Sequence, residues 1–248
     1  MSCDASTTWE QNNIRMRVSI HQPSYWPWLG QLAKIAKSDR YVLLDSVDAV
    51  RDDFQYRNLF FCNGQAKFLT LPVNYRVGLP IAELEFRNSG WQDEHLNKLT
   101  NYYRKAPFFE LVYGRIAPVY AAASTSTAAF LLATMQCALE ILDIRVDIVK
   151  SSTLPVTGKK AELVLDICRQ VEATEYVAGM GSYDYMKEAL ADFANAHVQV
   201  TWHKYLHPEY RQAPSLPFVS GLACLDIFFF QGFDRARQIF WESVHRAS

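Results

Sequence analysis

Residues 18–45, VSIHQPSYWPWLGQLAKIAKSDRYVLLD, decide the fold of this chain. Residues 18–20 predict a strand, and a turn rich in proline and aromatic residues follows it. Pro27 suits the first turn of a helix, where its missing N–H costs nothing, and apolar residues then recur at helical spacing. The run 41–44 predicts a second strand that ends at Asp45. A strand–helix–strand unit of about 30 residues predicts a parallel sheet.

Two polar side chains, His21 and Asp45, follow the ends of these strands. Ligands of open parallel sheets bind beyond the carboxyl ends of the strands. His21 also lies beside a helix N-terminus, where backbone N–H groups and the helix dipole favour an anion, so it is a candidate base or phosphate contact. Tyr25 and Trp28 are candidates for stacking on a base or sugar. In the alternative interpretation, His21 caps the strand and the aromatic residues close the sheet edge.

Composition sets outer bounds on fold and partners. The chain has 248 residues, 50% of them hydrophobic, and a net charge of −1. These values predict a single α/β domain over residues 15–248 after a flexible leader at 1–14. The near-zero charge argues against a nucleic-acid partner bound through phosphate contacts. Because the chain shows no signal peptide, we expect a cytoplasmic protein.

The five cysteines are scattered and include no C-x-x-C pair, so the sequence indicates neither a zinc knuckle nor a disulfide framework. No metal site is predicted, and no cofactor or oligomeric state is identified. We expect a small-molecule substrate.

The rest of the chain extends the sheet. Two β-rich runs flank an Asn-Gly pair at 63–64, which predicts a β-hairpin. Residues 115–140 carry no charge between their ends, but Pro118 and a Ser-Thr run leave too few apolar residues for a membrane span, so we expect a buried helix pair. Further strands are predicted at 82–86, 146–149, 175–178 and 198–202, and helices at 90–107, 159–171, from 184, 220–230 and 234–244. The fold class is therefore α/β, a three-layer Rossmann-like and mostly parallel sheet with a β-hairpin and a helical insertion at about 90–143.

Four further groups of residues are candidates for the site. The strand–helix loop with Gly179, Gly181, Ser182 and Tyr185 would let backbone approach a phosphate or carboxylate, although it lacks the Walker lysine and the GxGxxG pattern. A tight turn without a ligand explains the glycines equally well.

Cationic and imidazole side chains make up the other groups. Arg57, next to Asn58 and with Lys34 nearby, would hold an anion through its fork of donors, or it is a solvated strand start. His207 lies on a loop past the last strand and would converge with His21, or it lies on a surface turn. His95 shares a helix face with apolar residues, which is typical of a core histidine.

The quoted stretch resembles the opening signature of the WbqC-like family of bacterial proteins. The resemblance continues in order through QYRNLF, FLTLPV, WQDEHLNKLTNYYRKAPFF, AELVLDICRQVEATEYVAGMGSYDYM, HPEYRQAP and LDIFFFQG, and so covers nearly the whole chain. The family pattern falls on His21, Pro23, Tyr25, Pro27, Trp28, Gly30, Lys34, Asp45, Arg57, Asn58, His95, Tyr103, Gly179, Tyr185, His207, Pro208, Tyr210, Asp226 and Gly232.

The resemblance implies a role in surface-polysaccharide (O-antigen, lipopolysaccharide) biosynthesis. It implies a transferase that moves a glycyl or other acyl group from an acyl or aminoacyl donor to an amino sugar that is nucleotide-linked or otherwise activated. The loop 50–54 is more acidic than the corresponding family segment, and the glycine loop lacks a second glycine pair.

Two alternatives remain open at this point. A strand ending in His-x-Pro, then a helix, then a strand ending in Asp is similar to nucleotidyltransferase folds, although the second histidine of H-x-G-H is absent. A non-catalytic binding protein of a polysaccharide assembly complex is the other alternative.

Overall fold

The structure, a computed structural model, describes residues 15–214 and 216–246. The predicted leader at 1–14 lies outside the described residues. The centre of the fold is a five-stranded parallel sheet of order β5-β2-β1-β6-β7, and a separate antiparallel hairpin, β3-β4, lies beside it. The strands are β1 (Arg17–His21), β2 (Arg40–Leu43), β3 (Arg57–Cys62), β4 (Gln65–Thr70), β5 (Asp147–Lys150), β6 (Glu175–Gly179) and β7 (Gln199–His203).

Helices cover both faces of the sheet, so the predicted three-layer α/β fold is confirmed. The helices are α1 (Leu29–Ala36), α2 (Trp91–Tyr103), α3 (Phe109–Ala121), α4 (Thr127–Ile141), α5 (Ala161–Gln170), α6 (Tyr183–Met186), α7 (Leu190–Asn195) and α8 (Leu225–Arg246).

Alternation along the central strands divides the core in two. Tyr41 and Leu43 pack with α1, the hairpin and α8 on one face, whereas Val42 packs with α5 on the other. Successive side chains of a strand point to opposite faces, so one short strand supplies both layers. The chain runs from β1 through α1 to β2, and later from β5 through α5 to β6 on the opposite side of β1.

The hairpin turn is where the sequence places it. Asn63 and Gly64 both have positive φ, 52° and 82°, as a two-residue type I′ turn requires. The strand predicted at 82–86 is wrong, because Ile81–Glu83 forms a 3-10 turn and only isolated bridges join Phe86 to Val73 and Glu85 to Ser126.

The apolar segment forms the expected helix pair, α3 and α4, and α3 also packs against α2 and α8. Among the described residues, the structure contains no helix with the length and apolar character needed to cross a membrane. The two predicted C-terminal helices join as α8, with a kink at Gly232 (φ 69°) where the Phe108 ring leaves no room for a Cβ.

Candidate functional site

A cavity lies where the order of strands reverses. β1 pairs with β2 on one side and β6 on the other, so the carboxyl ends of β1 and β6, at His21 and Gly179, flank one crevice. A cavity of about 570 Å³ opens there. Open α/β sheets bind ligands at such a switch point, and the volume falls in the range of small-molecule pockets.

Eight of the residues singled out in the sequence line this cavity. They are His21, Trp28, Lys34, Asn58, Gly179, Gly181, Ser182 and Tyr185. Further lining residues were missed because they lie on the turn after β1, on the loop before β3, inside β6 or on the loop before α8. These are Gln22, Ser24, Asp53, Phe54, Tyr176 and Gly221.

Lys34 places a buried cation in the cavity wall. The side chain lies on α1 and is only 4% exposed, and its ammonium donates to the backbone carbonyl of Ile20 at 2.9 Å. Within residues 15–214 and 216–246 it forms no ion pair. Burial lowers the pKa of Lys34 to about 7. A buried cation without a carboxylate is costly, and an anionic ligand in the cavity would supply the missing charge.

His21 presents an unprotonated nitrogen beside this cation. Its Nδ1 lies 2.8 Å from the carbonyl oxygen of Gln22; because a carbonyl only accepts, Nδ1 carries the proton and Nε2 keeps its lone pair. Burial, followed by the positive charge of Lys34, lowers the pKa of His21 to about 3. The imidazole is therefore neutral at pH 7, and it becomes an effective base only when a bound ligand raises its pKa.

The glycine loop leaves the opposite wall open. Gly179 has φ −78°, so its backbone conformation does not require glycine. A Cβ at Gly179 would meet only the Lys34 ammonium, at 3.8 Å, and a Cβ at Gly181 would meet nothing within 4 Å. The fold itself therefore does not need glycine at either position. What both glycines provide is space in the cavity and access to the backbone.

Three half-exposed aromatic rings stand around the cavity, Trp28, Phe54 and Tyr185. Aromatic faces of this kind pack against planar bases and against the C–H faces of sugars. Gly30 does not line the cavity; it lies under the Trp28 ring, which occupies the space that a Cβ would need.

We expect Gly30→Ala to act through Trp28. In the wild-type background the added methyl collides with the indole, and we expect a loss of about 1 kcal/mol in unfolding free energy, as in other overpacked sites. In a Trp28→Ala background the same change should stabilise by about 0.5 kcal/mol, because alanine is the better helix former. Urea unfolding of the four proteins measures this cycle, and effects of the same sign in both backgrounds would contradict it.

Tyr25 and His95 lie in the core and not at the cavity. The Tyr25 hydroxyl is 2.5 Å from that of Tyr120 and 3.0 Å from His95 Nδ1, and the Tyr25 ring is fully buried. His95 Nε2 lies 3.1 Å from the carbonyl oxygen of Thr70. The stacking role predicted for Tyr25 is therefore corrected to a packing role, since the chain bends at Tyr25 and Trp26 and both side chains are buried.

Asp45 and Asn58 hold loops in place. The Asp45 carboxylate accepts from the backbone N–H and hydroxyl of Ser152, at 2.9 and 3.0 Å, which ties the end of β2 to the end of β5. The Asn58 amide donates to the carbonyls of Tyr25 and Trp26, both at 2.9 Å. Pro23 is buried in the same turn. Of these three, only Asn58 borders the cavity.

Arg57, predicted above to hold an anion, and His207, predicted to converge with His21, lie outside the cavity lining. The Arg57 guanidinium lies 3.6 Å from Asp52 and packs over the Phe68 ring at 4.3 Å. His207 packs behind the wall, because Tyr205 contacts both the Trp28 and His207 rings. The expected convergence of His207 with His21 is therefore corrected.

No group of three or more His, Cys, Asp or Glu side chains that could hold a metal ion occurs in the part of the chain that the structure describes.

The chain resembles known proteins over most of its length. A family model described as the WbqC-like protein family matches residues 22–238. The uncharacterized protein Rv1507c of Mycobacterium tuberculosis is 27% identical over 218 residues, which cover 86% of this chain and 93% of that protein. No solved structure matches the chain.

Proposed function

The chain belongs to the WbqC-like protein family, and on that premise we propose that it is a transferase of surface-polysaccharide biosynthesis. Membership of this family suggests a role in polysaccharide biosynthesis. The finer proposal is that the protein binds an anionic, nucleotide-linked amino sugar in the switch-point cavity and transfers an acyl or aminoacyl group to its amine.

One observation carries the proposal: the buried ammonium of Lys34 lies beside the neutral imidazole of His21 at the carboxyl end of β1. A cation without a carboxylate partner among the described residues favours an anionic group such as a diphosphate. Trp28 and Tyr185 offer aromatic faces to a base or a sugar ring. The cavity of about 570 Å³ has room for a ligand of this size.

The chemistry follows from the two groups. As the amine nitrogen attacks the acyl carbon, the bond from that carbon to the leaving group breaks, and His21 Nε2 accepts the amine proton. An anion bound beside Lys34 offsets its charge, which raises the pKa of His21 and makes the imidazole a stronger base. Lys34 therefore binds the anionic group of the ligand, and His21 accepts the proton of the attacking amine.

We expect binding of UDP-N-acetylglucosamine to be linked to proton uptake. The pKa of Lys34 is about 7 in the free protein, and a bound diphosphate should raise it, so at pH 8 about one proton should be taken up per ligand. For the same reason affinity should fall about fivefold between pH 7 and pH 8. Calorimetry in buffers of different ionisation enthalpy measures both quantities.

Variants separate binding from chemistry. Lys34→Met should abolish binding of UDP-N-acetylglucosamine and the proton uptake linked to it. His21→Ala should still bind this nucleotide sugar, but it should lose transfer of an acyl group from acetyl-CoA or an aminoacyl adenylate to the free amine of UDP-glucosamine, with release of CoA or AMP. Lys98→Met, which changes an exposed lysine paired with Glu94, is the matched control and should bind as the wild type does. Undiminished binding by Lys34→Met would contradict the proposal, as would release of pyrophosphate from a nucleoside triphosphate, which indicates a nucleotidyltransferase.

A further inference from the structure

A second, larger cavity lies on another part of the surface. It has a volume of about 810 Å³ and lies among the hairpin turn, the end of α2 and the first part of α8. It shares no lining residue with the switch-point cavity, and none of the roles assigned above uses it.

The charged side chains of this wall are all cationic. Arg104, Lys105 and Arg211 line the cavity, and no Asp or Glu does. None of the three forms an ion pair with any residue that the structure describes. Arg104 and Lys105 follow α2, and Arg211 reaches the cavity from the loop after β7, so two separate segments bring positive charge to one site.

The rest of the wall is made of aromatic rings and amides. Tyr102 and Phe230 are half-buried and border the cavity, and Phe230 is held edge-on by Phe61 with ring centroids 5.4 Å apart. The exposed amides Asn63 and Asn101 lie on the rim. Rings pack against the C–H face of a sugar, and amides donate to and accept from its hydroxyls.

We propose that this cavity is a binding site for an acidic oligosaccharide, whose carboxylates are held by Arg104 and Arg211 and one of whose sugar rings stacks on Tyr102. Arginine presents a planar fork of donors that matches a carboxylate. Single-stranded nucleic acid also binds basic and aromatic surfaces, but the net charge of −1 lacks the basic excess typical of such proteins.

The test uses the full chain, with trigalacturonic acid as the probe, and calorimetry measures the binding affinity. We expect the wild type to bind it, and the double variant Arg104→Ala/Arg211→Ala to bind about 100-fold more weakly, since each lost charge-assisted contact costs about tenfold. Arg76→Ala/Arg145→Ala removes the same charge from exposed positions outside this cavity and should leave affinity unchanged. Tyr102→Phe should keep affinity and Tyr102→Leu should lower it about fivefold, because only the ring is needed.

Three results would overturn the proposal: no binding of trigalacturonic acid, equal binding of neutral galactotriose, or tighter binding of oligouridine, which would make the surface a nucleic-acid site. Thermal unfolding of each variant confirms that it is folded. None of these substitutions changes Lys34 or His21. If trigalacturonic acid does not bind, the proposed transferase activity is therefore unaffected. If the tests of Lys34 and His21 fail, the proposed oligosaccharide site is likewise unaffected.

Discussion

Lys34→Met is expected to unfold about 5 °C higher than the wild type at pH 7. Lys34 is 4% exposed and its pKa falls to about 7 from 10.5, a difference that corresponds to about 5 kcal/mol of unfavourable burial of the charged form. Methionine has a similar length and no charge, but it loses the hydrogen bond to Ile20. A net gain of about 2 kcal/mol remains, and in a chain of this size it raises Tm by about 5 °C.

The pH dependence identifies the cause. Between pH 7 and 10.5 the unfolded chain binds more protons at Lys34 than the folded chain, so wild-type stability rises with pH over this window. The penalty is fully present below pH 7 and is lost as the pH rises towards 10.5. The advantage of Lys34→Met should therefore turn into a deficit of about 1–2 kcal/mol at pH 10, where little of the penalty remains and the lost hydrogen bond still counts. Lys98→Met should stay within about 0.5 kcal/mol of the wild type at both pH values.

Most substitutions destabilise, so a stabilising one that also abolishes ligand binding is informative. It would mean that Lys34 is retained at a cost in stability, as is common for functional groups. Thermal unfolding at pH 7 and pH 10 checks the prediction. A variant that is less stable than the wild type at pH 7 would show that the hydrogen bond to Ile20 outweighs the buried charge, and would remove the main argument for an anion site.

The central unit could be predicted from sequence because its signals are local. Pro27, the helical spacing after it and the β-rich run before Asp45 are all close in the chain, and α1 and β2 begin within two residues of the expected positions. The carboxyl end of β1, where a ligand site was predicted because a strand–helix–strand connection implies parallel strands, borders a cavity; the ligand itself stays a prediction.

The predicted residues that the structure places away from the cavity are ones whose side-chain direction depends on distant contacts. Tyr25 lies three residues from Trp28, yet Tyr25 is buried in the core and Trp28 borders the cavity, with a bend of the backbone at 25–26 between them. Phe54 was missed because it lies on an irregular loop, where no periodicity indicates which way a side chain points. His207 was placed at the cavity from its loop position, but Tyr205 lies between.

Asp226, on which the family pattern falls, is the one charged residue in the apolar run at 222–230. It lies in the first turn of α8 and is fully buried. Its carboxylate accepts from the Tyr210 hydroxyl at 2.7 Å and the Gln212 amide at 2.6 Å, and from the Tyr103 hydroxyl at 3.4 Å. These contacts tie the loop after β7 to the α2 and α8 layer.

We expect Asp226→Ala to lower the unfolding free energy by about 3 kcal/mol at pH 7. The change leaves buried donors of Tyr210 and Gln212 without an acceptor, each at a cost of about 1–3 kcal/mol, and it opens a small void. Asp226→Asn should lower the unfolding free energy much less, because the amide oxygen of asparagine can still accept from both the Tyr210 hydroxyl and the Gln212 amide. Urea unfolding measures the three proteins.

The difference in unfolding free energy between wild type and Asp226→Asn should change sign with pH. Burial raises the pKa of Asp226 to about 7, so between pH 4 and 7 the folded protein binds more protons than the unfolded chain. The stability that this proton uptake adds is fully present below about pH 4 and is lost as the pH rises through 7. Wild type should therefore be the more stable of the two at pH 5, and should lose about 2–3 kcal/mol relative to Asp226→Asn by pH 8.

Asp234→Asn is the matched control, because Asp234 lies on the same helix, its side chain is fully exposed, and its ion pair with Arg237 is at the surface. We expect it to stay within about 0.5 kcal/mol of the wild type at both pH values. A constant difference between Asp226→Asn and wild type from pH 5 to pH 8 would mean that the three donors hold the carboxylate ionised throughout. In that case the network would stabilise the charge itself, and the loop that carries Arg211 would be held equally firmly at every pH at which the oligosaccharide site is tested.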